Sequence, residues 1–234
     1  MPAGQNHLPT TIHRIRLMAS NCYLLHHEGV VIVDAGLRGE RTSILRAMKR
    51  LGISPSDVTL ILLTHGHLDH AGGAAKLAAA TGAPVALHAA DAAYLRLGEI
   101  VPAPPIGWWA RGLARLFSSG FIQRLTSIGE FAPDITLGDA DFPLHPYGIS
   151  GVAVHTPGHT AGSVSVLLED GRALVGDLAM KGMQSLHLKP GPPLVAQDIM
   201  ELEESWRRLY QRGARTFYPG HGTPFPAEAL LRGR

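Results

Sequence analysis

Apolar and polar residues alternate over Thr11–Leu17, the period of a strand with one buried face. Two more short apolar runs follow, Cys22–Leu25 and Val30–Val33, with His27-Glu28-Gly29 as the turn between them. Asp34-Ala35-Gly36 ends the third run. Over Arg41–Leu51 the spacing changes. Apolar residues at 44, 45, 48 and 51 share one helical face, and Gly52 supplies a stop. Val58–Leu63 is apolar throughout, as a strand buried on both faces is. An Ala-rich helix over Ala71–Ala80, a strand over Val85–His88 and a helix over Ala89–Leu97 continue the strand–helix rhythm. Later, Val152–Thr156, Ser163–Leu168, Arg172–Val175 and Thr216–Tyr218 read as short strands, and Ala196–Gln211 as a helix.

Ile100–Phe131 breaks this rhythm. Pro102, Pro104 and Pro105 open it; then Trp109, Leu113, Leu116, Phe117 and Phe121 recur at helical spacing, with Arg111 and Arg115 on another face. The segment predicts a helical insertion around residues 100–131. Its functional reading is an apolar lid, with Trp109 and Phe117 as substrate contacts. Its bland reading is packing on the body of the protein or a homodimer contact. No repeat of 20–50 residues and no low-complexity linker interrupts the chain, so residues 1–234 read as a single α/β domain. Each half offers strands that end in a turn, which suggests two sheet layers with helices outside.

The 234 residues suffice for one well-buried core, and 45% hydrophobic with 17% charged residues is a globular composition. A net charge of +2 without a Lys/Arg block excludes nucleic acid as the expected partner. No apolar run approaches the ~18 residues of a membrane span, and the stripe flanked by Arg111, Arg115 and Arg124 is short for a membrane-surface helix. Met1–Thr10 lacks the pattern of a signal peptide, so the cytoplasm is the default location. The lone cysteine, Cys22, rules out an intramolecular disulfide and reads as a small buried apolar residue.

Histidine is the outlier, 13 against 6 Phe and 5 Tyr. His65-x-His67-x-Asp69-His70 packs four metal-competent side chains into the turn between an apolar strand and a helix. Three imidazoles packed so closely repel on protonation unless a divalent cation replaces the protons. Gly66 reads as room for the backbone to pass close to bound ions. His159, Asp177 and His221 share one context: apolar strand, glycine, then a candidate ligand. Lys181 and Lys189, in the stretch after Asp177, are candidates to meet an anionic substrate group, with solvated lysines as the bland reading. Residues His7, His13, His26, His27, His88, His145, His155 and His187 read as structural or surface. His187 stands out among them because it follows Asp177.

With these residues in this order, the chain resembles the metallo-β-lactamase superfamily. The flanks agree: Thr64 before the motif, Ala71-Gly72-Gly73 after it, Thr156-Pro157-Gly158-His159-Thr160, Gly176-Asp177, and Tyr218-Pro219-Gly220-His221-Gly222. The resemblance implies a four-layer αβ/βα sandwich with metals at one edge of the sheets. It implies one cation on His65, His67 and His159, a second on Asp69, His70 and His221, and Asp177 bridging them. It also matches Asp34 to a family aspartate, here taken to orient a ligand histidine. Zinc suits such donors; iron or manganese also fits them. The implied chemistry is attack of a metal-bridging hydroxide on the ester, thioester or lactone carbonyl of a small molecule, with Asp69 and Asp177 as the catalytic carboxylates. Glyoxalase II and the lactonases are the resembling branches, though too few residues follow His221 for a helical substrate domain. Leu178-Ala179-Met180 stands where lactonases carry a Tyr. Asp177 argues against a dedicated β-lactamase, and His67 against the flavodiiron branch. A mononuclear-iron persulfide dioxygenase and a promiscuous enzyme with weak β-lactamase activity are the alternative readings.

Overall fold

The computed structural model describes residues 9–106, 130–182 and 187–231, except for the side chains of 187 and 188. The first sheet has six strands in chain order: β1 (Thr11–Arg16), β2 (Asn21–His26), β3 (Val30–Val33), β4 (Val58–Leu62), β5 (Val85–His88) and β6 (Ile135–Leu137). β1 to β3 pair antiparallel, which needs only tight turns. From β3 to β6 the pairing is parallel, and parallel neighbours need crossovers. Helices α1 (Arg41–Arg50), α2 (Leu68–Ala71), α3 (Ala74–Thr81) and α4 (Ala89–Arg96) occupy those crossovers.

The second sheet contains β7 (Phe142–Pro143), β8 (Gly151–His155), β9 (Val164–Leu168), β10 (Arg172–Gly176), β13 (Thr216–Pro219) and β14 (Phe225–Pro226), in the order β14-β13-β10-β9-β8-β7. A hairpin, β11 (Met180–Gly182) and β12 (His187–Gly191), follows β10. Helix α5 (Ile199–Gln211) then crosses over to β13, which lies parallel to β10.

Three apolar clusters separate four layers. Alternation along each strand sends successive side chains to opposite faces. Cys22, Leu24, Val30 and Ile32 pack on the first sheet's helices, among them Ile44, Met48, Leu77 and Leu95. Tyr23, Leu25, Val31 and Val33 meet Val164, Val166, Leu168 and Leu174 of the second sheet. On that sheet's other face, Val154, Ala173, Val175 and Phe217 pack against Leu202, Trp206 and Leu209 of α5. This is the four-layer αβ/βα sandwich.

A register shift between β3 and β4 pairs Val30 with Val58 but Val31 with Leu60. The extra residue is Thr59, whose hydroxyl meets the carbonyls of Val30 at 3.1 Å and Tyr147 at 2.8 Å. Beyond the bulge Leu60 and Leu62 face the second sheet and Ile61 and Leu63 face the helices. The Ala-rich stretch is two helices, not one, parting at Gly72-Gly73, where the Gly73 N–H donates to Gly36 O at 2.8 Å. Residues 107–129, with Trp109 and Phe117, lie outside the described residues. The described start of the expected insertion, residues 100–106, is not helical. It runs beside residues 194–196, with Ile106 N–H donating to Leu194 O at 2.9 Å and Ala196 N–H to Pro104 O at 3.0 Å. No helix among the described residues is long and apolar enough to cross a membrane.

Candidate metal centre

Asp34 follows β3, and its φ of 65° is left-handed, a region Asp enters more readily than bulky residues. The side chain is buried and works in both directions. Its carboxylate accepts the Thr64 N–H at 2.8 Å and the Thr64 hydroxyl at 2.9 Å, fixing the turn after β4. It also accepts from His70 Nδ1 at 2.8 Å, fixing a ring on α2.

The other histidines are oriented by the same device. His65 Nδ1 lies 3.0 Å from the Thr64 hydroxyl oxygen, whose own proton points at Asp34. His67 Nε2 donates to Val101 O at 3.2 Å, and His159 Nδ1 to Val195 O at 2.9 Å. An acceptor on one ring nitrogen fixes the tautomer and turns the opposite nitrogen inward as a lone pair.

These inward atoms converge. His67 Nδ1 and His159 Nε2 are 2.9 Å apart, and His70 Nε2 and His221 Nε2 are 3.3 Å apart. His221 Nε2 lies 3.2 Å from Asp69 Oδ2 and 3.3 Å from Asp177 Oδ2. Three triplets have donor atoms within 4.8 Å: His65–His67–His159, His65–His70–Asp177 and Asp69–His70–His221. Ligands on a tetrahedral ion at ~2.0–2.1 Å stand about 3.3–3.4 Å from one another, close to these separations. Within the cluster two buried atoms have no hydrogen-bond partner, His65 Nε2 and Asp177 Oδ1. His70 Nε2, 3.2 Å from Asp177 Oδ1, makes an ion-pair contact with it. Orphaned lone pairs of this kind, in a set of imidazoles and carboxylates, fit a divalent metal.

The charges of the cluster divide it into two halves. Burial holds His65 well below the ordinary histidine range, lowers His67, and takes His159 down to about 4. At His70 and His221 burial acts the same way and is the largest single effect, but the carboxylates together outweigh it: Asp177, Asp69 and Asp34 at His70, Asp177 and Asp69 at His221. His70 rises well above its usual value and His221 rises to about 10. Burial opposes the charge on Asp69 too, yet His70 and His221 bring its pKa to about 2. Asp177, buried against the same two rings, is held well below the carboxylate range.

Long-range ties hold the remaining turns. Ser205 of α5 donates to Pro157 O at 2.8 Å and Asp198 N–H to Gly158 O at 2.9 Å, bracing the His159 turn. Trp206 Nε1 donates to Leu178 O at 2.7 Å, beside Asp177. For the His221 turn, Tyr23 Oη donates to Pro219 O at 2.7 Å, Arg14 to Gly222 O at 2.8 Å and Asn21 N–H to Gly220 O at 2.7 Å. A Cβ on Gly220 would stand 2.5 Å from Asp177 Oδ1 and 2.6 Å from His70 Cε1, so the position needs glycine.

Asp91, for which the sequence gives no signal, joins the turn of His65 and His67 to the turn of His159. Buried in the first turn of α4, it accepts the Gly66 N–H at 2.8 Å, the Thr160 hydroxyl at 2.9 Å and the Gly162 N–H at 3.0 Å. Burial raises its pKa, against the opposing pull of these donors. Nothing around residue 91 announces this role, because two of its three partners are backbone groups. Gly66 has a different reason from the one expected. A Cβ there would meet Val101 at 2.7 Å and Asp91 at 3.3 Å, so its room serves packing. Lys181 is half-buried, and its backbone clamps the His221 turn: its N–H donates to His221 O at 3.3 Å and its O accepts from Thr223 N–H at 3.1 Å. His187 opens β12; its side chain lies outside the described residues.

Comparison with known proteins decides the family. The family model described as "Metallo-beta-lactamase superfamily" matches residues 15–221. The chain belongs to the metallo-beta-lactamase superfamily. The matched span runs from the end of β1 to His221 and so takes in all seven residues of the cluster. A probable metallo-hydrolase of Methanocaldococcus jannaschii is 26% identical over 204 residues, 87% of this chain and 88% of that protein. A probable metallo-hydrolase of Bacillus subtilis is 26% identical over 231 residues, 91% of this chain and 84% of that one. Among solved structures, a metallo-beta-lactamase family protein of Thermus thermophilus superposes with a TM-score of 0.66 at 25% identity, covering 95% of this chain and 76% of its own. The seven clustered residues come from both sheets, four from the first and three from the second.

Proposed function

We propose that this chain is a metal-dependent hydrolase that opens an ester, thioester or lactone carbonyl. In this reading one divalent cation sits on His65, His67 and His159, a second on Asp69, His70 and His221, and Asp177 serves both. Zinc suits the donors best. The observation that carries the reading is the pair of buried atoms left without partners, His65 Nε2 and Asp177 Oδ1, inside a ring of oriented imidazoles. The names of the relatives, probable metallo-hydrolases from an archaeon and a bacterium, point the same way.

Bound divalent cations supply a nucleophile from water near neutral pH and a Lewis acid for the carbonyl oxygen. The chain's residues do the rest. Asp69 is the carboxylate of the cluster with an edge toward solvent, its side chain 28% exposed against 6% for Asp177. With a pKa of about 2 it stays ionised through the neutral range. Asp69 Oδ2 faces His221, which leaves Oδ1 to accept a proton from an incoming water and hand it to the departing alkoxide or thiolate. Asp177, buried and ionised, holds the two halves of the cluster at fixed separation.

Metal content per chain, followed by a panel of thioesters, lactones and esters with and without chelator, tests this. Two zinc per chain and chelator-sensitive turnover are expected. One iron per chain with oxygen uptake on a persulfide, or full turnover in chelator, would remove the reading.

A further inference from the structure

Away from the seven-residue cluster, His88, Asp139 and His155 form another group of metal-competent side chains, with donor atoms within 4.8 Å of one another. We propose that this trio is a further binding site for a divalent transition-metal cation. His88 ends β5 in the first sheet and His155 ends β8 in the second. Asp139 lies between β6 and β7, where the backbone passes from one sheet to the other. A cation held here clips the two sheets together near the turn that carries His159.

His155 is held by one ring nitrogen. Its Nε2 lies 2.8 Å from Ala161 O, a pure acceptor, so that nitrogen carries the proton. Its Nδ1 faces Asp139 Oδ1 at 3.3 Å. His88 Nε2 approaches the same oxygen at 3.2 Å. A proton bridges such a nitrogen–carboxylate contact, and a divalent cation can take that proton's place. The rings stack with centroids 4.2 Å apart and planes at 7°, which sets both nitrogens beside one carboxylate. The 3.2 and 3.3 Å separations match the about 3.3–3.4 Å between ligands of a tetrahedral ion.

Two imidazoles and one carboxylate select zinc, cobalt or nickel over magnesium or calcium, which require more oxygen donors. Three protein donors leave the fourth position to water. With Asp139 84% exposed, the ion can enter and leave. Loading asks for two adjustments. The stacked rings splay so that their lone pairs converge. The His88 proton moves from Nε2 to Nδ1, giving up the long 3.3 Å bond that Nδ1 accepts from the Ala90 N–H.

The test is Zn(II) uptake by the full chain at equilibrium dialysis, read as bound metal per chain by mass spectrometry. Asp139→Ala, at an exposed position, and His155→Gln should each hold one equivalent fewer than the wild type. His145→Gln, which removes an exposed histidine paired with Glu169 elsewhere, should lose none. The comparison is between variants, so it does not depend on how many ions the main cluster holds or on whether the chain hydrolyses anything. Equal uptake by the wild type and both trio variants overturns the site. So does loss of the same equivalent in His145→Gln, which would mark the extra ion as a surface adduct.

Discussion

Four of the five clustered histidines have one ring nitrogen bound to an oxygen acceptor and the other turned inward, and Asp34 supplies the most demanding of those acceptors. It reaches His70 at 2.8 Å only from a left-handed backbone at φ 65°. Asp34→Asn isolates the electrostatic part, because Asn also tolerates that conformation and keeps an oxygen for the Thr64 N–H. Metal affinity should fall by about 10–100-fold, measured by competition with a chromogenic chelator. Unchanged affinity would mean that Asp34 only shapes the turn. Asp69→Asn acts on chemistry: it removes the acceptor facing solvent and should lower turnover by about 10²–10⁴-fold on the best substrate of the panel. Turnover at the wild-type level in this variant would exclude Asp69 from proton transfer.

Turns that end strands deliver the clustered histidines and aspartates, and α4 locks two of those turns through Asp91. Asp91→Ala leaves the Gly66 and Gly162 N–H groups buried without an acceptor, a loss of about 2–4 kcal/mol in urea unfolding. A loss under about 1 kcal/mol would show that water replaces the carboxylate. This scale also marks how far the sequence could be read. The long apolar strands and amphipathic helices were legible because periodicity over five or more residues is a strong signal, and the clustered residues were legible as candidates because each comes soon after a strand end. β6, β7 and β14 span three, two and two residues, too few to show alternation. The bulge at Thr59 and the break at Gly72-Gly73 depend on contacts with Tyr147 and Gly36, which no local pattern encodes. Asp91 was hidden for the same reason, as were His88 and His155, which meet only after both sheets have formed.

Across the whole molecule, the two halves of the cluster tie stability to pH in opposite senses. His221 has a folded pKa of about 10, above the ~6.5 of an unfolded histidine. Its protonation therefore stabilises fully below about 6.5, and that contribution is lost as pH rises through about 10. His159, at about 4, is folded neutral, so its effect runs the other way, and stability falls as pH drops from about 6.5 toward 4. In chelator the urea midpoint should peak between these windows and decline on the alkaline side. With zinc the alkaline decline should vanish, because a cation replaces the proton on His221. Identical profiles with and without zinc would refute the linkage. The layer of Val, Leu and Tyr side chains between the sheets has a further role. His65 to His70 ride on one wall of that layer, and His159, Asp177 and His221 on the other, so its thickness acts as a spacer for the ion cradle. A bulkier side chain at Val166, in that layer, would jack the walls apart while leaving every clustered histidine and aspartate in the sequence, and should lower metal affinity.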